Sequence, residues 1–268
     1  MNKLKPKEKE GIRKAADLLF NSNFAIVLTG AGISTESGIP DFRGPDGIWK
    51  KYKPEIYGSF QAFLTDPSKF WKMAEKIAPT LFNAKPNPGH YAIAELERLN
   101  IIKAVVTQNV DELHQKAGNV IVYEVHGSIN RFTCLGCRAS YTKEQIMRKL
   151  KKEKKGTPGC NYCGAPLKPS AVLFGEALPN FEKYMSIDLA KKSEVMLIAG
   201  SSLSVAPICD LPLYTLSEGG KLIIVNDEPT DLDERAEIVI NNKTGIVLPL
   251  IVEEIKKIII ENESNKKN

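Results

Sequence analysis

Gly30-Ala31-Gly32-Ile33-Ser34-Thr35-Glu36-Ser37-Gly38-Ile39-Pro40-Asp41-Phe42-Arg43-Gly44 follows the apolar run Phe24-Ala25-Ile26-Val27-Leu28. That run predicts a buried parallel strand. A strand that ends in closely spaced glycines and turns into a helix is how α/β folds hold a pyrophosphate. Glycine lets the backbone approach the ligand, and the unpaired N–H groups of the helix start face its charge. The same residues could instead be a plain turn joining strand to helix. A hydride-transfer loop would read Gly-x-Gly-x-x-Gly, with an acidic residue about 20 positions on after a second strand. Here Thr35 takes the third glycine's place, and Pro45–Pro67 is rich in Pro, Gly, Tyr and Lys. A nucleotide is expected; hydride chemistry is not implied.

Downstream, Ile102-Lys103-Ala104-Val105-Val106 reads as a second buried strand, followed by Thr107-Gln108-Asn109-Val110-Asp111-Glu112-Leu113-His114. Polar groups at the carboxyl end of such a strand lie where open α/β sheets bind ligands. Gln108, Asn109 and Asp111 suit ribose hydroxyls or a carboxamide, although Asn109 and Asp111 could equally cap the next helix. Of three histidines, His90 and His114 sit in helical patterns and read as structural. His126 ends the strand-like Val120–Val125 and precedes Gly127, a position open to a general base.

Cys134-Leu135-Gly136-Cys137 and Cys160-Asn161-Tyr162-Cys163 are two Cys-x-x-Cys pairs separated by 22 residues. Four soft ligands at this spacing suit one tetrahedral zinc with every position filled, hence a structural metal that activates no water. Two disulfides would require an oxidising compartment. Cys209, the fifth, reads as a small core residue.

These blocks together resemble the sirtuins, NAD-dependent protein-lysine deacylases. The resemblance runs from about Lys7 to Leu250, through GAGISTESGIPDFRG, TQNVDELHQKAG, VHG, the two CxxC pairs, FGEALP, GSSLSVAP and IIVNDEPT in family order. It implies an NAD site built from Gly30, Ala31, Gly32, Ser34, Thr35, Asp41, Phe42 and Arg43, with Phe42 covering the reacting ribose carbon. Gln108 and Asn109 would contact ribose, and Asp111 the nicotinamide carboxamide. Gly200, Ser201 and Ser202 would form a second phosphate and ribose loop, and Asn226 would hold the adenosine ribose. His126, with Asn109 and Asp111, is the implied catalytic set, and Cys134, Cys137, Cys160 and Cys163 the zinc ligands.

The implied reaction has the acyl oxygen of a modified lysine attack the ribose carbon, expelling nicotinamide. His126 then helps deprotonate a ribose hydroxyl that attacks the resulting imidate, giving O-acyl-ADP-ribose and free lysine. NAD is consumed as a co-substrate, so the enzyme is formally a transferase. Val172, Phe174, Gly175 and Glu176 match a segment whose backbone pairs with the peptide as an added strand, and Val205 the opposite wall. Ala74 and Ile77 align where sirtuins that remove acidic acyl groups carry Tyr and Arg. An acidic tail would meet no cation there, so acetyl and longer neutral acyl groups are expected.

The fold class implied is α/β: a Rossmann-like parallel sheet with helices on both faces, plus a small zinc-ribbon and helical module inserted into it. The predicted parts are 1–44, 89–130 and 169–268 for the NAD-binding domain, 45–88 for the helical insertion and 131–168 for the zinc ribbon. Within them, helices are predicted at Gly11–Phe20 and near Tyr91–Leu99, and strands near 102–106, 120–125, 195–199 and 221–225. Thr244-Gly245 reads as a turn, and Pro249 as the first turn of a last helix reaching about Ile260.

With 268 residues and 43% hydrophobic content, the chain can bury a real core as one composite unit. It has no run of 18 apolar residues, and Met1–Lys5 does not open a signal peptide, so a cytoplasmic protein with no membrane partner is expected. The net charge of +5, with clusters at Lys149–Lys155 and Lys256, Lys257, Lys266 and Lys267, reads as solvated faces more than a nucleic-acid surface. Two other classes are a protein ADP-ribosyltransferase using the same NAD site and a non-enzymatic zinc-ribbon module.

Overall fold

The computed structural model describes residues 4–41, 44, 47–152 and 156–265. The expectations for Phe42 and Arg43, and part of the basic clusters, fall outside these residues.

Six strands form one sheet: β1 (Ala25–Thr29), β2 (Ile102–Thr107), β3 (Val122–Glu124), β7 (Val195–Ala199), β8 (Lys221–Val225) and β9 (Ile238–Ile240), in the order β3-β2-β1-β7-β8-β9. Every adjacent pair is parallel. Successive side chains of a strand point to opposite faces, and the burial shows it. Ala25, Val27, Leu197 and Val225 face one core with helices Pro6–Phe20, Pro88–Arg98 and Thr244–Asn265. Ile26, Leu28, Met196 and Ile224 face the other, with helices Asn180–Lys192 and Leu211–Ser217. Full burial on both faces explains why β1 and β7 are continuously apolar instead of alternating. The strand order reverses between β1 and β7, the switch point where doubly wound sheets leave a crevice at the carboxyl ends.

A second, antiparallel sheet, β5-β4-β6, comprises β4 (Arg131–Cys134), β5 (Ser140–Thr142) and β6 (Leu167–Pro169). It shares a third core with the insertion helices Phe60–Thr65 and Pro67–Asn83, in which Phe63 and Trp71 pack with Phe132, Leu167 and Leu173. Trp71 stacks on Phe132 with ring centroids 6.1 Å apart and donates its indole N–H to the Leu167 carbonyl at 3.2 Å. The ribbon and the helical insertion therefore make one module.

Several local expectations are corrected. The glycine run opens only a short 3-10 helix, Ala31–Ser37, closed by Gly38 in the left-handed region. β9 was not anticipated, and β3 is shorter than expected. The last helix starts at Thr244 and carries Pro249 inside it. Burial of Val247, Leu248, Ile251, Val252 and Ile255 on the sheet outweighs the one backbone bond that Pro249 removes. Val172–Glu176 forms no regular strand; Phe174 makes only an isolated parallel bridge to Ser59. Cys209 is half-buried and packs at the edge of the second core.

Candidate active site

At the switch point lies a cavity of about 750 Å³ between the large sheet and the small module. One wall is the glycine loop. The Gly32 N–H donates to the Gly200 carbonyl at 2.8 Å, bringing the ends of β1 and β7 into backbone contact. A Cβ on Gly200, which has φ +62°, would lie 2.2 Å from the Ile33 nitrogen, and one on Gly32 would lie 2.8 Å from the Gly200 oxygen. Only glycine permits that approach at both positions.

The floor is a buried polar network. Asn109 donates to the Gly30 carbonyl at 3.0 Å and to Ser34 Oγ at 3.1 Å, and Ser34 donates to Asp111 Oδ2 at 2.7 Å. Asp111 Oδ1 accepts the Leu113 N–H at 2.9 Å, so Asp111 also serves the start of helix Leu113–Ala117. Burial raises the Asp111 carboxyl above its usual range, against the lowering effect of these hydrogen bonds. Below, Thr29 Oγ1 lies 2.8 Å from Thr107 Oγ1 and 2.9 Å from His114 Nε2. Gln108 reaches across to Ser201 Oγ at 2.9 Å.

His126, just past the end of β3, places Nδ1 2.9 Å from the Gln108 carbonyl. A carbonyl can only accept, so Nδ1 carries the hydrogen and Nε2 keeps its lone pair. Burial lowers the His126 pKa below its ordinary 6.5, with the carbonyl bond acting in the opposite sense. Burial thus favours the neutral imidazole over the imidazolium.

Of the residues singled out in the sequence, Gly30, Ala31, Gly32, Thr35, Asp41, Gln108, Asn109, His126, Val172, Phe174, Gly175, Glu176, Gly200, Ser201, Ser202, Val205 and Asn226 line this one cavity. Ser34 and Asp111 do not; they lie beneath the floor, tied to Asn109. Ala74 and Ile77 are half-buried on helix Pro67–Asn83 and do not line it either. Trp49, Leu178, Asp227, Glu228, Lys243 and Thr244 line it unanticipated. Asp227 and Glu228 directly follow Asn226 at the end of β8, a readable signal. Trp49 and Lys243 are delivered by distant segments that carry none.

The four paired cysteines gather away from the cavity, with all sulfurs within 4.8 Å of one another. Cys134–Cys163 and Cys137–Cys160 sulfurs are 3.4 and 3.6 Å apart, too far for a disulfide bond of about 2.05 Å. Four thiolates about 2.3 Å from one zinc in tetrahedral array would stand roughly 3.8 Å apart, so the set fits one zinc ion. The Tyr141 hydroxyl, 3.1 Å from Cys160 Sγ, supports the cluster.

A doubly wound sheet with a glycine cradle at its switch point, facing a thiolate ribbon across a polar cleft, defines a nucleotide-using α/β enzyme with an accessory zinc module. The model of the Sir2 family matches residues 30–207, and the chain belongs to that family. It is 48% identical over 248 residues to the NAD-dependent protein deacylase 2 of Archaeoglobus fulgidus, covering 92% of this chain and 97% of that one. Among solved structures, a Sir2–p53 peptide–NAD+ complex matches with TM-score 0.80 and 37% identity over 94% of this chain and 98% of that one. A Sir2 protein bound to a myristoylated histone peptide matches with TM-score 0.80 and 41% identity over 94% and 99%.

Proposed function

We propose that this protein removes acetyl and longer neutral acyl groups from protein lysines, consuming NAD and leaving nicotinamide, O-acyl-ADP-ribose and free lysine. The observation that carries this reading is His126, its Nδ1 held on the Gln108 carbonyl at 2.9 Å, in the same cavity as the glycine cradle and the Val172–Glu176 segment. When bound, NAD supplies the ribose carbon that takes the acyl oxygen as nicotinamide leaves.

The chain's residues do the rest. Gly30, Ala31, Gly32, Thr35, Gly200, Ser201 and Ser202 receive the phosphates and a ribose, with Phe42 and Arg43 assigned to the same site by motif. Gln108, Asn109 and, from below, Ser34 and Asp111 hold the nicotinamide end in its reactive pose, and Asn226 takes the adenosine ribose. His126 Nε2 accepts a ribose hydroxyl proton while Nδ1 stays bound to the Gln108 carbonyl, which fixes the ring. Holding both substrates in a walled cleft supplies near-attack geometry and excludes water.

The acyl-peptide pairs its backbone with Val172–Glu176, with Val205 opposite. The Val172 N–H is already given to the His126 carbonyl at 2.8 Å, and Phe174 uses both backbone groups on Gly58 and Phe60. Among the described residues, the Val172 carbonyl and both backbone groups of Gly175 have no partner, and these are the groups offered to the peptide. The acyl chain enters among Val110, Leu173, Phe174, Leu178 and Val205; Lys243 is the one cation among the described lining residues. A neutral acyl group suits such walls better than a carboxylate.

One zinc, held by Cys134, Cys137, Cys160 and Cys163, braces the small module. We assign 1–44, 89–130 and 169–268 to NAD binding, 45–88 to the helical insertion and 131–168 to the zinc ribbon. No helix among the described residues is long and apolar enough to cross a membrane. Paired reduced thiols support a cytoplasmic location.

Mass spectrometry of an acetyl-lysine peptide incubated with the protein, with and without NAD, tests the proposal. Free peptide and O-acetyl-ADP-ribose forming only with NAD are expected. Labelled ADP-ribose bound to protein, with the peptide unchanged, would refute it in favour of ADP-ribosyl transfer.

A further inference from the structure

The segment offered to the peptide is irregular, yet it is tied down on three sides. The large domain holds Val172 through the His126 carbonyl, and the helical insertion holds Phe174 through Gly58 and Phe60. The third tie comes from a lysine in the zinc ribbon. Lys168 lies on β6, opposite Thr133 and beside the strand residue Cys134. Its side chain is only 6% exposed, an unusual place for an ammonium group.

The ammonium is fully used. It donates to the Pro169 carbonyl at 2.8 Å and the Ala171 carbonyl at 2.6 Å, and it pairs with Glu176 Oε2 at 3.0 Å. The same carboxylate accepts the Leu173 N–H at 3.0 Å. One cation and one anion thus gather backbone groups from Pro169, Ala171 and Leu173, in the loop whose Val172 and Gly175 line the cleft. Lys168 is buried while Glu176 is 25% exposed, and even a fully buried ion pair can often be replaced by packed apolar side chains without loss, so the pair is weak evidence of a stability role. Its three-way geometry instead specifies one loop conformation. A loop already in its bound shape avoids the ordering cost of binding.

We propose that Lys168, through Glu176, is a positioning residue for the acyl-peptide: the pair of a buried lysine and a part-exposed carboxylate presets the Ala171–Glu176 backbone for strand addition and couples the zinc ribbon to substrate affinity. This rests on the deacylase reading above. Lys168 touches neither NAD nor the reacting atoms, so its loss acts on the peptide and leaves the NAD half of the site intact.

The test measures KM and kcat for an acetyl-lysine peptide and for NAD, with zinc content and melting temperature, in the full-length wild type, Lys168→Met and Lys168→Gln. Peptide KM is expected to rise at least tenfold in the Met variant and at least threefold in the Gln variant, which keeps N–H donors but no charge. KM for NAD and kcat at saturating peptide stay within twofold of wild type, and Lys168→Arg recovers most of the peptide affinity. A folded, zinc-loaded variant whose peptide KM stays within twofold of wild type overturns the proposal. So does an equal rise in both KM values, the mark of a generally loosened structure. If the Met variant does not fold, the Gln variant decides. A wild type that releases no nicotinamide with the peptide refutes the deacylase reading and this inference with it, an outcome visible before any variant is compared.

Discussion

Replacing His126 with alanine separates chemistry from binding, and the structure gives the size of each effect. A positioned general base contributes about 10²–10⁴ in rate, equivalent to roughly 3–5 kcal/mol of barrier. The stability loss is smaller. The variant gives up one side-chain hydrogen bond to the Gln108 carbonyl, worth about 1 kcal/mol net. Because the ring borders an open cleft, water fills the space and no dry cavity forms. The backbone stays in place: the Gln108 N–H remains on the Thr29 carbonyl at 3.0 Å, and the Val172 N–H on the residue-126 carbonyl at 2.8 Å. Deacylation measured by product mass spectrometry should fall by at least about 10², while the NAD dissociation constant from calorimetry and the melting curve change little. In the wild type, the acid limb of kcat/KM should inflect below 6.5, because burial lowers the His126 pKa. Turnover near wild type in the alanine variant would remove His126 from the mechanism. An acid inflection above 6.5 would refute its neutral, desolvated state.

Gly200→Ala places a Cβ 2.2 Å from the Ile33 nitrogen at a φ of +62°. Left-handed strain and overpacking together should cost about 2–5 kcal/mol and weaken NAD binding by over tenfold, checked by urea unfolding and calorimetry; wild-type affinity would show that the two loops need not touch. Chelating the zinc should abolish deacylation together with the folded signal of residues 131–168, read by zinc release, limited proteolysis and circular dichroism. A zinc-free protein that keeps the ribbon folded would contradict a structural metal. For pH, burial raises the Glu124 pKa from 4.5 to about 7, while it lowers His90 from 6.5 to about 4 and His114 to about 3. As pH falls from 7 to 5, the folded state gains from protonating Glu124, whereas the unfolded state gains from protonating its histidines. Glu124→Gln removes the first effect, so its urea midpoint should fall more steeply over that range than the wild type's; parallel curves would refute the assignment.

The parts of this fold that were readable locally are those whose physics is local. β1, β7 and β8 announce themselves as apolar runs because both their faces are buried, and the thiolate pairs by spacing alone. β9 has only three residues and leaves too little pattern to distinguish it from a loop. Pro249 is a local helix-start signal that places the last helix too late, and only the sheet beneath Val247–Ile255 shows why it sits inside the helix instead. At the site, the glycine run and the Gln108–Asp111 block were legible as motifs, but which members face the cleft was not. Ser34 and Asp111 lie one layer down, a distinction set by how the 3-10 turn after Gly30 meets β2. Trp49 comes from an insertion helix and Lys243 from the β9–helix loop, and no sequence neighbourhood pairs either with the Gln108 block or the Val172–Glu176 segment that lines the same cavity.

That lower layer explains how the cavity floor can be built from so many buried polar groups. Ser34, Asn109 and Asp111 are each 6% exposed or less, and Thr29 and Thr107 are 3% or less. An unpartnered hydroxyl or amide at such depth costs about 1–3 kcal/mol. Here each is answered: Ser34 receives from Asn109 and gives to Asp111, and the Asn109 N–H is met by Thr107 Oγ1 at 3.1 Å. The burial that makes isolated polar groups expensive also makes a satisfied network stiff. Stiffness under Asn109 is what the proposed reaction would use, since only groups held in place before charge develops favour the transition state without reorganising during it. A core of leucines at these positions would be easier to fold and would offer no hydrogen-bonding partner to the proposed NAD. The polar floor is therefore better understood as an orienting surface, which the surrounding apolar layers stabilise, than as a contributor to stability itself.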